Sequence, residues 1–129
     1  FMAPEIVRKE ALPSANTDLH SLAVLIFHLM FIGHPLDGEK EANIRAKDLP
    51  AMEKLYGKEP VFIFDPNDDS NRPVEGYQDN PIVFWKIYPE FFKELVTRAF
   101  TEGIKEYQHK RVRQNEWRNS LILWRNKLL

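Results

Sequence analysis

Two glycines and a lysine between Gly33 and Lys40 outline, at first sight, a loop that could hold phosphate. Such a loop binds phosphate through backbone amides and through a lysine at a fixed position. Here Glu39 stands where the lysine belongs, and Pro35 removes one of the amide donors. We therefore interpret the stretch as a turn that ends a helix, and we predict no cofactor-binding residues in it.

Histidines and acidic residues are the next candidates, because they could hold a metal ion. His20 and His28 lie about two helical turns apart, whereas histidines that share a metal on a helix lie one turn apart. Residues 65–71 alternate aspartate and asparagine, as calcium loops do, through Asp65, Asn67, Asp69 and Asn71. The glycine and the closing glutamate of a calcium loop are missing. We predict no metal site. We interpret the two histidines as packed or half-exposed side chains, and the acidic residues of 65–71 as turn and cap residues.

No pattern of serine, histidine and aspartate, and no pair of carboxylates, indicates catalysis, so we predict no catalytic residues. The net charge of -1 disfavours nucleic-acid binding, and the aromatic residues at helical spacing are interpreted as core. The chain contains no cysteine, which excludes disulfides, zinc ribbons and thiol chemistry.

The elements that must position any site are helices. With 43% apolar and 29% charged residues, the chain is expected to fold as one domain over 1–129. The expected class is all-α with one long irregular loop. The expected elements are a short helix at 5–9 after Pro4, a central hydrophobic helix at about 18–32 capped by Asn16, Thr17 or Asp18, a polar helix at 39–47, a short helix at 48–57, and terminal helices at about 89–102 and 114–128.

The middle of the chain, about 37–88, is variable in character. Val61–Phe64 is typical of a short strand, although no partner strand is visible, and 65–81 is expected to be a long loop. The last helix is predicted from an apolar stripe at Trp117, Leu121, Trp124 and Leu128.

The apolar run Leu22–Ile32 is too short to span a bilayer, so we expect no membrane segment and a cytoplasmic protein. Because the chain opens on Phe1 and not on methionine, we expect it to be part of a longer protein.

Four motifs together resemble the large lobe of protein kinases of the Ser/Thr type. Phe1–Glu5 resembles the aromatic-Met-Ala-Pro-Glu segment that closes the kinase activation segment. Asp18–Ala23 is similar to the Asp-x-Trp-Ser-x-Gly motif that opens the central helix, with His20 in place of the tryptophan and Ala23 in place of the glycine. Gly33–Leu36 resembles the Gly-x-x-Pro-Phe turn, and Arg111 before Trp117 resembles the arginine that precedes the last kinase helix.

The resemblance implies roles for particular residues. Glu5 would pair with Arg111, with Arg113 as the alternative, and Asp18 would receive amide hydrogens from the catalytic loop. The residues themselves leave open a simpler role for Asp18, which is to cap its own helix. Glu5, Arg111 and Asp18 would be structural residues and not catalytic ones.

The resemblance also implies a function for a longer parent protein. The parent would transfer phosphate from ATP, with Mg, to protein Ser/Thr, because the ATP and metal groups of kinases precede the Ala-Pro-Glu segment. The 129 residues alone would then bind neither ATP nor metal. A non-catalytic helical interaction domain and a pseudokinase remnant are the alternatives. The expected partners are the upstream part of the kinase domain, a protein substrate of the parent, and a second copy. We expect this chain to leave part of the apolar surface of its central helix uncovered, so that some of the following side chains face water: Leu22, Val24, Leu25, Phe27 and Leu29.

Overall fold

The computed structural model describes residues 2–44 and 48–128, and within these ranges the fold is all-α, with no strand. Phe1, residues 45–47 and Leu129 lie outside the described residues. The polar helix expected at 39–47 was wrong in its extent, because the helix ends at Ala42 and neither Asn43 nor Ile44 is helical; residues 45–47 of that expectation lie outside the described residues. The helices are α1 Pro4–Val7, α2 Ala15–Phe31, α3 Glu39–Ala42, α4 Leu49–Glu53 with a π-helical turn Lys54–Lys58, α5 Asp79–Ile87, α6 Glu90–Phe100, α7 Glu102–Lys105 and α8 Gln114–Leu128.

Helix α2 is the central element of the fold. Its cap is Ser14, whose hydroxyl accepts the Thr17 backbone N–H while the Thr17 hydroxyl accepts the Ser14 N–H. The expected caps Asn16, Thr17 and Asp18 were therefore wrong, because all three already lie inside the helix. The helix ends at Phe31, and Ile32 follows in the left-handed conformation.

The core forms where α5, α6 and α8 pack around α2. Phe27 and Phe31 of α2 are fully buried and meet Phe92 and Phe100 of α6. Trp117 of α8 closes the core from the other side of Phe92. Burying a large apolar side chain contributes about 1.5–3 kcal/mol, so this aromatic cluster is the main source of stability. The stripe expected on α8 is only partly buried, because Leu121 and Leu128 are 37% and 77% exposed.

The segment from Glu59 to Gln78 has no helix or strand, yet it is firmly packed. The strand expected at Val61–Phe64 was wrong, because this stretch pairs with no strand and leads into a turn. Its Phe62 and Ile63 side chains are buried in the core. The fully buried Asn71 donates to the carbonyls of Leu36 and Val61, at 2.9 and 2.7 Å. This loop is therefore tied to the turn after α2.

Three further features hold the same segment in place. Asn71 Oδ1 accepts the Lys40 N–H at 2.9 Å, and Arg72 donates to the carbonyls of Ile63 and Asp65. A Cβ atom on Gly38 would lie 1.9 Å from the Asn71 carbonyl oxygen, so only glycine allows this close approach.

Helix α5 lies inside the stretch that the sequence marked as variable. The loop expected at 65–81 therefore ends earlier, at Gln78, and the helix follows. Phe84 and Trp85 of α5 pack against the core. Tyr88, the extended residue after the helix, donates to the Met30 carbonyl near the end of α2. The helix expected at 89–102 is also interrupted: α6 stops at Phe100 and α7 starts at Glu102.

Across the part of the chain that the structure describes, no helix combines the length and the apolar character needed to cross a membrane.

Candidate functional site

A buried ion pair joins the start of the chain to the segment before α8. Arg111 Nη2 donates to Glu5 Oε1 at 2.6 Å, across 106 positions of sequence. The two side chains are 3% and 1% exposed, so the charges are withdrawn from water. The structure thus brings together Glu5 and Arg111, as expected. Arg113, the alternative partner, is exposed at the start of α8.

Arg111 also binds two backbone carbonyls, which fix its guanidinium. Nε donates to Gly103 of α7 at 3.2 Å, and Nη1 donates to Asn16 of α2 at 3.1 Å. The Tyr107 ring lies 5.5 Å from the guanidinium carbon. One arginine therefore links α1, α2 and α7, and we call Glu5, Arg111 and Asn16 the charged tie.

Helix α1 is too short to be stable alone, so its position depends on these contacts. Besides Glu5, Arg8 donates to the Gly57 carbonyl at 2.8 Å, and a Cβ on Gly57 would meet the Val7 side chain at 2.7 Å. Lys9 then takes a φ of 64°, which turns the chain toward α2.

Asp18 lies in the first turn of α2, and its side chain is exposed. Because Ser14 occupies the cap position, the simpler role of Asp18 as the cap of its own helix was wrong. A carboxylate near a helix N-terminus is favoured by the helix dipole. The structure does not bring Asp18 to Glu5 or Arg111 by any described hydrogen bond or ion pair.

His20 of α2 is a packed, buried histidine, which is the role that the sequence favoured over metal binding. It is 3% exposed, and its ring meets Phe100 edge-on at 5.9 Å. Its Nδ1 has no hydrogen-bond partner within the described residues. Burial, followed by the positive charge of Arg111, lowers the pKa of His20 to about 3, so the ring is neutral at pH 7.

The outer face of α2 carries apolar side chains with little cover. Leu25 and Leu29 lie one turn apart on one face of α2 and are 41% and 67% exposed. Ile32, which follows the last helical residue, is 55% exposed. Val24 and Phe27 are by contrast fully buried, so they are covered by this chain itself. The expected bare surface is therefore smaller than a whole helix, and we call Leu25, Leu29 and Ile32 the outer row.

A cavity of about 390 Å³ at the end of α2 is lined by titratable side chains that include His34, Asp37 and Glu41. Tyr56 lies outside the lining and reaches the cavity through Asp37. Tyr56 donates to Asp37 at 2.6 Å, and Gln78 donates to the buried Glu41 at 3.1 Å. Burial lowers the pKa of His34 to about 4, and burial with the Asp37 hydrogen bond raises that of Tyr56. A neutral histidine and a tyrosine this hard to ionise are poor bases and nucleophiles at pH 7.

Asp65 and Asn71 of the calcium-like pattern bond within the protein, whereas Asn67 and Asp69 are exposed. Asp65 is buried and accepts the Asn67 N–H at 2.9 Å, while Asn71 serves the loop as described above. Within residues 2–44 and 48–128, no group of three or more acidic, histidine or cysteine side chains is arranged to hold a metal.

Comparisons with protein-family models, with curated proteins and with solved structures found no match to this chain.

Proposed function

We propose that this chain is the substrate-side part of the large lobe of a Ser/Thr-type protein kinase and is not catalytic by itself. The parent protein would transfer phosphate from ATP, with Mg, to protein Ser or Thr. The parent's ATP and metal ligands would come from residues that precede Phe1. The fold proposed is accordingly a portion of the kinase-like large lobe, and the location proposed is the cytoplasm.

The charged tie is the observation that carries the proposal. The kinase resemblance selects Glu5 and Arg111 out of all the acidic and basic residues, on opposite ends of the sequence. These two side chains form the most buried ion pair among the described residues, at 2.6 Å. A tie of this kind would hold the end of an activation segment on the base of the lobe, so the protein substrate would meet a fixed surface.

The outer row and Asp18 lend further support. A large lobe needs apolar partners for its central helix and an acceptor for the catalytic loop. The outer row would supply the apolar surface, and the exposed Asp18 would supply the acceptor. Both would then be covered by the upstream part of the same parent protein.

The test begins with the coding sequence upstream of Phe1. We expect it to encode one lysine for the phosphates and two aspartates, one for the substrate hydroxyl and one for the metal. The longer protein should phosphorylate a generic protein substrate in an ATP-dependent manner, and a variant with the catalytic-loop aspartate changed to asparagine should not. The 129-residue chain alone should show no saturable binding of ATP at micromolar concentration in calorimetry.

Failure would take recognisable forms. An upstream sequence that keeps the helices but lacks the lysine and the aspartates would mean a pseudokinase. Micromolar binding of ATP to the 129 residues alone, or an upstream sequence with no such motifs at all, would contradict the proposal.

The outer row also favours a second candidate, a helical interaction domain that pairs with a second copy of itself. Exposed apolar groups on one helix face commonly mark a protein contact. Sedimentation at micromolar concentration would then show a dimer, and Leu29→Lys would abolish it. Leu128→Lys, at a similarly exposed leucine on α8, is the matched control. A monomer before any substitution would remove this candidate.

A further inference from the structure

A cavity of about 400 Å³ opens between α3, α4 and the π-helical turn Lys54–Lys58. It shares no lining residue with the cavity at the end of α2. Its apolar lining consists of Ile44, Ala51 and Leu55. Leu55 is 5% exposed, whereas the Lys54 side chain is 68% exposed, so the inner wall is apolar and the opening is charged. The volume lies within the range of small-molecule sites, about 300–1,000 Å³.

The π-helical turn gives this cavity a fixed wall. Tyr56 donates to Asp37 at 2.6 Å, which joins the turn to the segment after α2. The next residue, Gly57, accepts Arg8 of α1 through its carbonyl at 2.8 Å. Turns of this kind are rare and often occur at functional sites. Because two other segments hold the turn, the preceding Leu55 keeps its place and the cavity stays open.

The charged side chains of the lining carry a positive excess. Lys40 and Lys54 line the cavity together with one acidic residue, Glu59. Lys40 forms no ion pair with a described residue, and Asn71 Oδ1 accepts its backbone N–H at 2.9 Å. Lys54 pairs with Glu59 at 3.6 Å, but both side chains are more than half exposed. Such a pair contributes little, so an incoming anion can take the place of the Glu59 carboxylate.

We propose that this cavity binds a small amphiphilic carboxylate that is free in solution. Its apolar body would lie against Ile44, Ala51 and Leu55, and its head group beside the ammonium groups of Lys40 and Lys54. Removal of the apolar body from water supplies most of the affinity, and the two charges select an anion over a cation. The site shares no residue with the charged tie, so its occupancy does not depend on the proposed kinase function.

Titration of the full chain with octanoate at about pH 7.5, followed by methyl NMR, tests the proposal. The methyl resonances of Ile44 and Leu55 should shift and saturate, with a Kd of about 1 mM or tighter for a ligand of this size. Octylammonium has the same apolar chain and the opposite charge, so it should bind at least about tenfold more weakly. Acetate lacks the chain and should cause no saturable shift.

Two exposed lysines of the π-helical turn provide a matched pair of variants, because Lys54 lines the cavity and Lys58 does not. Lys54→Gln should weaken octanoate binding about fivefold, which is the effect of one nearby charge in water. Lys58→Gln should change it less than about twofold, since a more distant charge is screened by salt. Ala51→Phe, which places a ring in the cavity, should abolish saturable binding.

Three results would overturn the proposal. Without saturable shifts at Ile44 and Leu55 in about 10 mM octanoate, ten times the expected Kd, the cavity would take no such ligand. Equal binding of octanoate and octylammonium would mean that the lysines do not select an anion. Equal effects of Lys54→Gln and Lys58→Gln would place the bound ligand elsewhere. Both lysines are exposed, so this comparison holds even where Ala51→Phe fails to fold.

Discussion

Two buried ties hold distant parts of this chain together, and they do so by opposite means. The charged tie joins Glu5 to Arg111 through an ion pair at 2.6 Å. The neutral tie is the Asn71 amide, which joins the turn after α2 to the long loop. Both are withdrawn from water, since Asn71 is fully buried and Glu5 is 1% exposed.

The ties differ in how completely their polar atoms are satisfied. Asn71 uses both amide hydrogens and its oxygen, on the carbonyls of Leu36 and Val61 and on the Lys40 N–H. Glu5 leaves Oε2 buried without a hydrogen-bond partner in the described part of the chain. A charged tie adds little stability when intact, because desolvation offsets attraction, but losing one partner is costly.

The largest effect is expected from Glu5→Ala, which leaves the Arg111 charge buried and unpaired. We expect the free energy of unfolding to fall by about 3–5 kcal/mol, measured by urea denaturation. The double variant Glu5→Met with Arg111→Met should lose less than Glu5→Ala, because no stranded charge remains. A loss below about 1 kcal/mol in Glu5→Ala would show that the pair is not buried as described.

Asn71→Ala should come next, with a loss of about 3 kcal/mol. The substitution leaves two carbonyls and one N–H buried without partners, and each unsatisfied group costs about 1–3 kcal/mol before relaxation. Asn67→Ala is the matched control, because Asn67 is exposed in the same loop. The control should change stability by less than about 0.5 kcal/mol in the same urea titration. Equal effects in both variants would mean that Asn71 does not organise the loop.

Acid should weaken both regions, through His20 beside the charged tie and His34 near the neutral one. Their folded pKa values, about 3 and about 4, lie below the ordinary value, so unfolding takes up protons. The stability that depends on the neutral rings is complete above about pH 6.5 and is lost as the pH falls below it. At pH 5 we expect a loss of about 2 kcal/mol from His20 and less from His34, whose side chain is 23% exposed. Urea titrations of His20→Phe and His34→Gln between pH 7.5 and 5 should show correspondingly flatter profiles.

The smallest effect is expected from Arg72→Lys. Arg72 is a charged side chain in the loop that Asn71 holds, so the variant tests whether charge or the neutral amide stabilises that loop. Its guanidinium donates to carbonyls of Ile63, Asp65 and Asp68, and a lysine cannot reproduce that planar geometry. We expect a loss of about 1 kcal/mol, because the site is partly exposed and the loop keeps Asn71. A loss as large as that of Asn71→Ala would place the centre of the tie at Arg72 instead.

The two ties were not equally visible in the sequence. Glu5 and Arg111 could be paired because a family resemblance named both, and the structure brings them together. Asn71 was visible only as part of a calcium-like alternation, since nothing local shows that an asparagine in a polar loop will be buried. Helix α5 was missed for a related reason: Pro81 suggested a loop, whereas in the structure it lies in the first turn, where the helix needs no amide from it.

By itself, the sequence determined the elements whose cause is local. The apolar run of α2, the apolar stripe of α8 and the end of α2 just before Gly33 depend on residues within a few turns of one another. Gly103, which was expected to end the helix before it, lies inside α7 instead. Only the tertiary structure decided what depends on distant partners: that Val24 is covered while Leu29 is not, that Val61–Phe64 is a buried turn, and that His20 is enclosed beside Arg111. The physical reason is that distant segments set the burial and the hydrogen-bond partners of a side chain. The periodicity of residues along one segment does not specify which other segments pack against it.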